Sequence, residues 1–248
     1  MVRFTIGIAD VNILINALYM ETRQFFSDFI THGEAMETVN VDYNEIIKYK
    51  IKCPNFSDIM CEKAVLKYKI DKLLVNYNVF PIHASSLAYK KCAYLFLALS
   101  GVGKSTHSRK WCEAFPEETI MINDDRPYLK LENDTVFAYS HPQAGKHGIY
   151  NNVSFPVRVI AKIVRDKDNY VKEVKKTDFF PFMVQQSFTM NDPITTRSVI
   201  MLIRRVMDLV SFFEIHCNMD NDAAYVINEQ MNYFLSTEDI NDVNRQGL

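Results

Sequence analysis

The sequence predicts an α/β fold in which a phosphate-binding-loop core over residues 79–248 is preceded by a small α+β region over residues 1–78. Three observations carry this prediction. Residues 92–99 form an apolar run that reads as a buried strand and stops at a turn bearing Gly101 and Gly103, beyond which Lys104, Ser105 and Thr106 open a helix. Residues 119–122 make a second apolar strand, and it ends on Asn123, Asp124 and Asp125. Helices are expected at 56–77, 104–115 and 193–210, so helices alternate with strands along the chain.

Taken in order, residues 2–8 alternate loosely and read as a strand. Residues 21–30 have helical spacing, with Phe25, Phe26 and Phe29 as a buried stripe, and residues 38–43 suit a short strand. The helix at 56–77 starts near Ser57 and Asp58. It keeps Phe56, Ile59, Met60, Leu66, Ile70, Leu73 and Tyr77 on one face and presents Lys63, Lys67, Lys69 and Lys72 to solvent. No linker rich in Gly, Pro or Ser marks the boundary near residue 78. Residues 79–89 read as one strand, carrying His83, that hairpins through Lys90 and Lys91 into the strand feeding the loop. The helix after the loop is ended by Pro116.

Beyond residue 135, a short strand is expected at 136–140, and residues 158–165 with 170–174 read as a hairpin about the turn residues 166–169. Residues 177–188 suit a helix capped by Thr177, with Pro181 in its first turn. The next helix, 193–210, lines up Val199, Leu202, Ile203, Val206, Leu209 and Val210, leaving Arg204 and Arg205 off the stripe, where they could reach a phosphate but better suit a solvated face. A strand at 212–217 and a helix at 220–235 follow, and the polar tail from Ser236 is expected to fray.

Composition narrows the function classes. With 248 residues, 48% of them apolar, the chain has enough material for one large domain or two small ones. A formal net charge of −2 and the lack of a basic run argue against a nucleic-acid surface or a basic membrane helix. The five cysteines, Cys53, Cys61, Cys92, Cys112 and Cys217, fall in no metal-finger spacing, so reduced thiols, a cytoplasmic setting and no zinc are expected. The apolar start is interrupted by Asp10, Asn12 and Asn16 and reads as a strand, not a signal peptide.

The loop has a definite chemistry. Gly101 and Gly103 let the backbone curl closely enough for its N–H groups to face phosphate oxygens, and the helix behind presents its positive end. The backbone from Ser100 through Val102 and Gly103 would cradle the phosphates, Lys104 would reach the outer ones, and the Ser105 or Thr106 hydroxyl would ligate magnesium. Ala98 stands where the general motif has glycine, and an ordinary strand-to-helix turn with an exposed lysine is the plainer alternative. An acidic pair at the end of the next apolar strand suits the same chemistry. One of Asp124 and Asp125 can hold magnesium while the other accepts a proton from an attacking hydroxyl, although Asn-Asp-Asp before Arg-Pro is also good turn chemistry. Residues 141–152, with Lys146, two histidines and two asparagines, suit either a loop that contacts phosphates or a solvent loop.

His83, the stretch Ala98 to Thr106 and the Asn123-Asp124-Asp125 run together resemble the kinase domain of HPr kinase/phosphorylase and, more distantly, ATP-dependent phosphoenolpyruvate carboxykinase. Gly103 to His107, Ile122 to Arg126 and Gly145 to His147 look closer still to a group of HPr-kinase-like bacterial proteins. The resemblance implies a carboxykinase-type core with a strongly twisted mixed sheet, bound ATP and magnesium, and an oligomer. It matches Lys104 to the phosphate-binding lysine, Asp124 and Asp125 to the acidic pair, and Ser105, Asp125 and His83 to the surroundings of the metal. Thr106 departs from the family, which has Glu there, so the phosphorylase reaction and HPr itself are not carried over.

Two functions follow as expectations. The first is a magnesium-dependent ATP phosphotransferase acting on a hydroxyl, such as a serine of a small protein or peptide; tailoring kinases of small ribosomal peptides resemble this chain. The second is a nucleotide-binding regulatory or assembly module with little or no catalysis.

Overall fold

A computed structural model gives the fold, and it describes all residues except 100, 146–147, 188–191, 219, 221 and 247–248, with side chains described as far as residue 236. The chain opens with β1 (Val2–Ile8) and β2 (Val11–Ala17), an antiparallel hairpin. Ala9 and Asp10 at its tip both have positive φ, as the tight turn requires. The sequence had suggested only the first of these strands. Then come α1 (Met20–Phe25), β3 (Glu37–Asn40), which pairs parallel with β2, α2 (Tyr43–Lys52) and α3 (Asp58–Leu74). Phe26 and Phe29 are buried as expected, Phe29 in a short 3-10 turn after α1.

The helix α2 buries only Ile46 and so leaves no apolar stripe to read, but its start is marked by a capping box in which Asp42 and Glu45 exchange hydrogen bonds. Ser57 caps α3 by accepting from the Met60 N–H. The buried face of α3 is set by Cys61, Val65, Leu66, Ile70 and Leu74, whereas Met60 is exposed. Its lysines are not a simple solvated face either. Lys69 pairs with Glu45, Lys72 with Asp192, and Lys67 donates to Gln143 Oε1 at 3.0 Å.

Buried Glu62 on α3 fastens the helix to the end of β2, accepting from the backbone N–H of Leu18 at 2.5 Å and of Tyr19 at 3.3 Å and from the Thr22 hydroxyl. Truncating it strands those donors beneath the sheet. Glu62→Ala is expected to lose about 3 kcal/mol of stability, read as a lowered midpoint in chemical denaturation, while Glu62→Gln recovers part of that loss.

The remaining strands are β4 (Val79–Pro81), β5 (Ser85–Tyr89), β6 (Cys92–Leu97), β7 (Thr119–Asn123), β8 (Tyr128–Glu132), β9 (Thr135–Tyr139), β10 (Ser154–Arg165), β11 (Tyr170–Glu173) and β12 (Ser211–Cys217). Four more helices accompany them: α4 (Lys104–Ala114), α5 (Lys176–Gln186), α6 (Pro193–Leu209) and α7 (Ala223–Gln246). Among the described residues these strands form one mixed sheet in the order β4-β8-β9-β10-β6-β5-β7, with β12 on β10 and β11 on β12. The long strand β10 turns the sheet. Ser154–Pro156 pair antiparallel with β9, and from Val157 onward the strand runs parallel between β6 and β12.

The apolar run of β6 follows from burial on both faces. Leu95 and Leu97 join a core with Met183, Ile203 and Val206 of α5 and α6, while Tyr94 and Phe96 join one with Trp111 of α4 and Ile227 and Met231 of α7. A third core, built from Ile6, Ile13, Phe26, Leu66 and Ile70, includes Val79 and Tyr128, so the three-stranded sheet and α3 pack directly on β4 and β8. No helix among the described residues is long and apolar enough to cross a membrane.

Several expectations are corrected. Residues 79–89 form two strands, because β4 pairs with β8 whereas β5 pairs with β6 and β7. The break is pinned by hydrogen bonds from the N–H of Ile82 to Pro127, of His83 to Gln186 and of Ala84 to Asp125. The hairpin expected at 158–174 does not form, since β12 lies between β10 and β11. β12 places Phe212, Phe213 and Ile215 in the core where β11 places only Val171, so it is the better neighbour for a strand buried on both faces. Lys175, not Thr177, occupies the cap of α5, and Pro181 sits past the first turn, where burial of Phe179 and Met183 offsets the missing backbone bond. Residue 188 of that expected helix lies outside the described residues. Beyond Ser236 the helix continues to Gln246, since no glycine or proline interrupts that stretch. Strand β8 was not foreseen.

Candidate functional site

The loop between β6 and α4 sits at the carboxyl end of the central strands, where open α/β sheets bind ligands. Gly101 and Gly103 have φ of +79° and +122°, and a Cβ at either would meet nothing within 4 Å. The glycines are therefore required by backbone conformation, not by crowding. Ser100 lies outside the described residues. Arg165, at the end of β10, holds the outside of the loop, donating from Nε to the Val102 carbonyl at 2.8 Å and from Nη2 to the Gly101 carbonyl at 2.6 Å. With the Val102 carbonyl turned toward Arg165, the Gly103 N–H of the same trans peptide faces the opposite way. Behind the loop, Ser108 donates to the Ser85 hydroxyl at 2.7 Å and anchors the first turns of α4 on β5.

Lys104 is the first residue of that helix, and its side chain is buried. Its Nζ donates to the Ala98 carbonyl at 3.3 Å and lies 3.2 Å from His83 Nε2. Burial pulls its ammonium below the usual value, opposed by the Asp125 carboxylate. His83 stands at the break between β4 and β5, with Nδ1 3.2 Å from Gln186 Oε1 and Nε2 3.6 Å from Asp125 Oδ1. Burial first, then the Lys104 charge, lowers its pKa and keeps the ring neutral. The tautomer with its proton on Nδ1 satisfies Gln186 and leaves Nε2 to accept from Lys104.

The acidic pair is set by a residue that the sequence reading treated only as part of a turn. Asn123, fully buried, accepts at Oδ1 from the N–H of Asp125 at 2.9 Å and of Arg126 at 2.7 Å. Its Nδ2 donates to the carbonyls of His141 at 3.0 Å and Gln143 at 3.1 Å. Asp124 and Asp125 thereby part company. Asp124 turns inward, with Oδ1 accepting from the Gly145 N–H at 2.6 Å; a Cβ at Gly145 would come within 3.2 Å of both carboxylate oxygens. Its Oδ2 is buried with no hydrogen-bond partner among the described residues. Ser105 Oγ lies 3.4 Å from the backbone carbonyl of Asp124, whereas Thr106 makes no hydrogen bond to the acidic pair among the described residues. Asp125 turns the other way, onto a polar cleft of about 380 Å³ lined by His83, Arg126, Gln185 and Gln186.

Loop 141–150 closes the inner side, and of its expected contributors Lys146 and His147 lie outside the described residues. A buried polar cluster fixes its start. Tyr128 donates to Asp71 Oδ1 at 2.6 Å, Asp71 faces Arg126 Nη1 at 4.0 Å and His141 Nε2 at 3.7 Å, and His141 Nδ1 accepts from the Gln143 N–H at 2.8 Å. Burial lowers the His141 pKa, so this ring too is neutral. Asp71 and Arg165 escaped sequence reasoning, and His141 was read only as part of a loop, because their roles depend on which strands and helices become neighbours. Arg204 and Arg205 lie away from the site, Arg204 over the Phe180 ring and Arg205 paired with Asp134 at 2.5 Å. All five cysteines are free thiols, and no cluster of three or more His, Cys, Asp or Glu side chains among the described residues suits a metal ion.

No family model matches the chain, and no curated protein matches it. Among solved structures, the HPr(Ser) kinase/phosphatase from Coxiella burnetii is matched over 64% of this chain and 98% of its own length, with 14% sequence identity and a TM-score of 0.37. The likeness is a distant one.

Proposed function

We propose that this chain is a magnesium-dependent, ATP-binding phosphotransferase that moves a phosphoryl group to a hydroxyl, a serine of a small protein or peptide. The observation that carries the reading is the convergence of Lys104, His83 and Asp125 at the mouth of a glycine loop, with Lys104 Nζ 3.2 Å from His83 Nε2 and that nitrogen 3.6 Å from Asp125 Oδ1. A structural turn has no use for a buried lysine, a neutral histidine and a carboxylate aimed at one another.

The donor set fits magnesium. A buried Asp124 Oδ2, with no hydrogen-bond partner among the described residues, and a serine hydroxyl beside the same residue are hard oxygen ligands, and magnesium takes few of these from protein while keeping phosphate and water. When bound, it would neutralise charge on the phosphates. In this reading Asp124 and Ser105 serve the metal side. Lys104 leaves the Ala98 carbonyl for the outer phosphates, and His83 holds the lysine and Asp125 in register. Asp125, on the open cleft, accepts the proton of the attacking hydroxyl. The cleft has room for a serine and its flanking backbone, and Gln185 and Gln186 offer that backbone hydrogen bonds.

Purified protein incubated with magnesium and γ-labelled ATP, alone and with a mixture of small proteins and peptides, tests the reading. Wild type should label an acceptor, and Asp125→Asn should lower transfer by about 10²-fold or more while still binding ATP. ATP binding with no label moved to any acceptor or to water would overturn the phosphotransferase and leave the regulatory module.

A further inference from the structure

A second cavity lies away from the phosphate loop. A groove of about 990 Å³ runs between α2 and α3. Its floor is apolar, formed in part by Phe25, Tyr49 and Phe56, with the last two rings 6.4 Å apart. Its rim is cationic. Lys48, Lys52, Lys63, Lys67 and Lys69 line it against one carboxylate, Glu45, which Lys69 already engages at 2.5 Å. Lys48 and Lys52 are exposed, and Lys63 holds its ammonium 5.1 Å from the Phe25 ring, at the border of floor and rim.

One end of the groove meets the candidate site. Gln143 lines it, accepting from Lys67, and the same residue belongs to the loop that Asn123 fastens. Two residues further along, Gly145 donates to Asp124. A chain lying in the groove and leaving past Gln143 therefore runs along the loop whose Gly145 holds Asp124.

We propose that this groove docks the acceptor through an acidic peptide segment, with large apolar side chains on the Tyr49 and Phe56 floor and carboxylates along the lysine rim. The charge pattern selects that occupant. A rim of five lysines on a chain of net charge −2 is a local feature, and it repels a basic segment while drawing in an acidic one. The apolar floor gives a peptide its binding area, whereas a nucleic-acid duplex would leave that floor unfilled. That the docked segment is the acceptor rests on the phosphotransferase reading above; the docking does not.

The test uses the full-length chain and a fluorescein-labelled peptide of alternating Glu with Leu or Phe, followed by anisotropy. Control peptides replace Glu by Lys, or Leu and Phe by Ser. Lys48→Glu combined with Lys52→Glu should weaken binding of the acidic peptide about tenfold or more, and both control peptides should bind no better than that variant. A pair far from the groove, Lys175→Glu with Lys176→Glu, makes the same change in net charge and should leave binding within about twofold. Equal losses from the two pairs, equal binding of the Lys peptide, or tighter binding of an oligothymidylate would overturn the proposal. The two readings fail separately. A peptide extended by a serine that binds through the groove but never takes label would remove the phosphotransferase reading and keep the docking surface. Label transfer to that peptide at the wild-type rate by the Lys48→Glu/Lys52→Glu variant would remove the docking role and keep the phosphotransferase.

Discussion

Lys104→Met will lower phosphoryl transfer by about 10³-fold or more while leaving a folded protein. The side chain is buried, and methionine keeps its apolar stem. Removing Nζ leaves the Ala98 carbonyl without that donor, a loss of about 1 kcal/mol, but it also removes a desolvated ammonium, so net stability should shift little. Among the described residues, Arg165 is the cation that touches the loop, and it is engaged with the carbonyls of Gly101 and Val102 on the outside. Two measurements separate catalysis from folding. A thermal melt should move by only a few degrees, whereas single-turnover transfer from γ-labelled ATP collapses. The pKa of His83 supplies an independent readout. Burial and the Lys104 charge both depress it, so removal of that charge should raise it, visible as a shifted imidazole titration by NMR. Transfer within tenfold of wild type would show that Lys104 is a structural lysine.

What could be read from the sequence was what depends on local chemistry. The apolar run of β6, the hairpin through Lys90 and Lys91, and the two glycines before Lys104 each have a short-range physical cause, and the structure contains all three. What was missed depends on neighbours. α2 buries a single apolar residue, so only the Asp42–Glu45 box announces it. The insertion of β12 between β10 and β11 is a competition between distant strands for one sheet edge, and the local turn at 166–169 pointed to the loser.

The candidate site divides along the same line. His83, Lys104, Asp124 and Asp125 carry reactive groups on recognisable elements, and the structure brings His83, Lys104 and Asp125 into contact range. Arg165 could not be seen, because its place beside the loop requires β10 to run parallel to β6 so that both strands end at one edge. Asn123 was visible and undervalued. An Asn opening a turn is common, but one with both its carbonyl and amide ends satisfied twice in the core holds two segments of chain at once.

Asn123→Ala is the second large expected effect, and it separates positioning from chemistry. The substitution removes the Asn123 bonds to the N–H groups of Asp125 and Arg126 and to the carbonyls of His141 and Gln143, three of the four being 3.0 Å or shorter. With water unable to reach a fully buried position, a loss of about 3–4 kcal/mol of stability is expected. Asn123→Asp keeps the acceptor and the shape but sets a carboxylate against two carbonyls, and should be no better. The phosphate loop does not depend on Asn123, since Arg165 and the Ser108–Ser85 contact hold it. ATP affinity should therefore stay within about threefold of wild type at a temperature where the variant is folded. Transfer should fall by about 10²-fold, because Asp124 and Asp125 lose the anchor that turns one inward and the other onto the cleft. A variant that loses stability but transfers phosphate at the wild-type rate would show that the orientation of the pair is set elsewhere. Loss of ATP binding in step with transfer would place Asn123 under the whole site instead of under its acidic half.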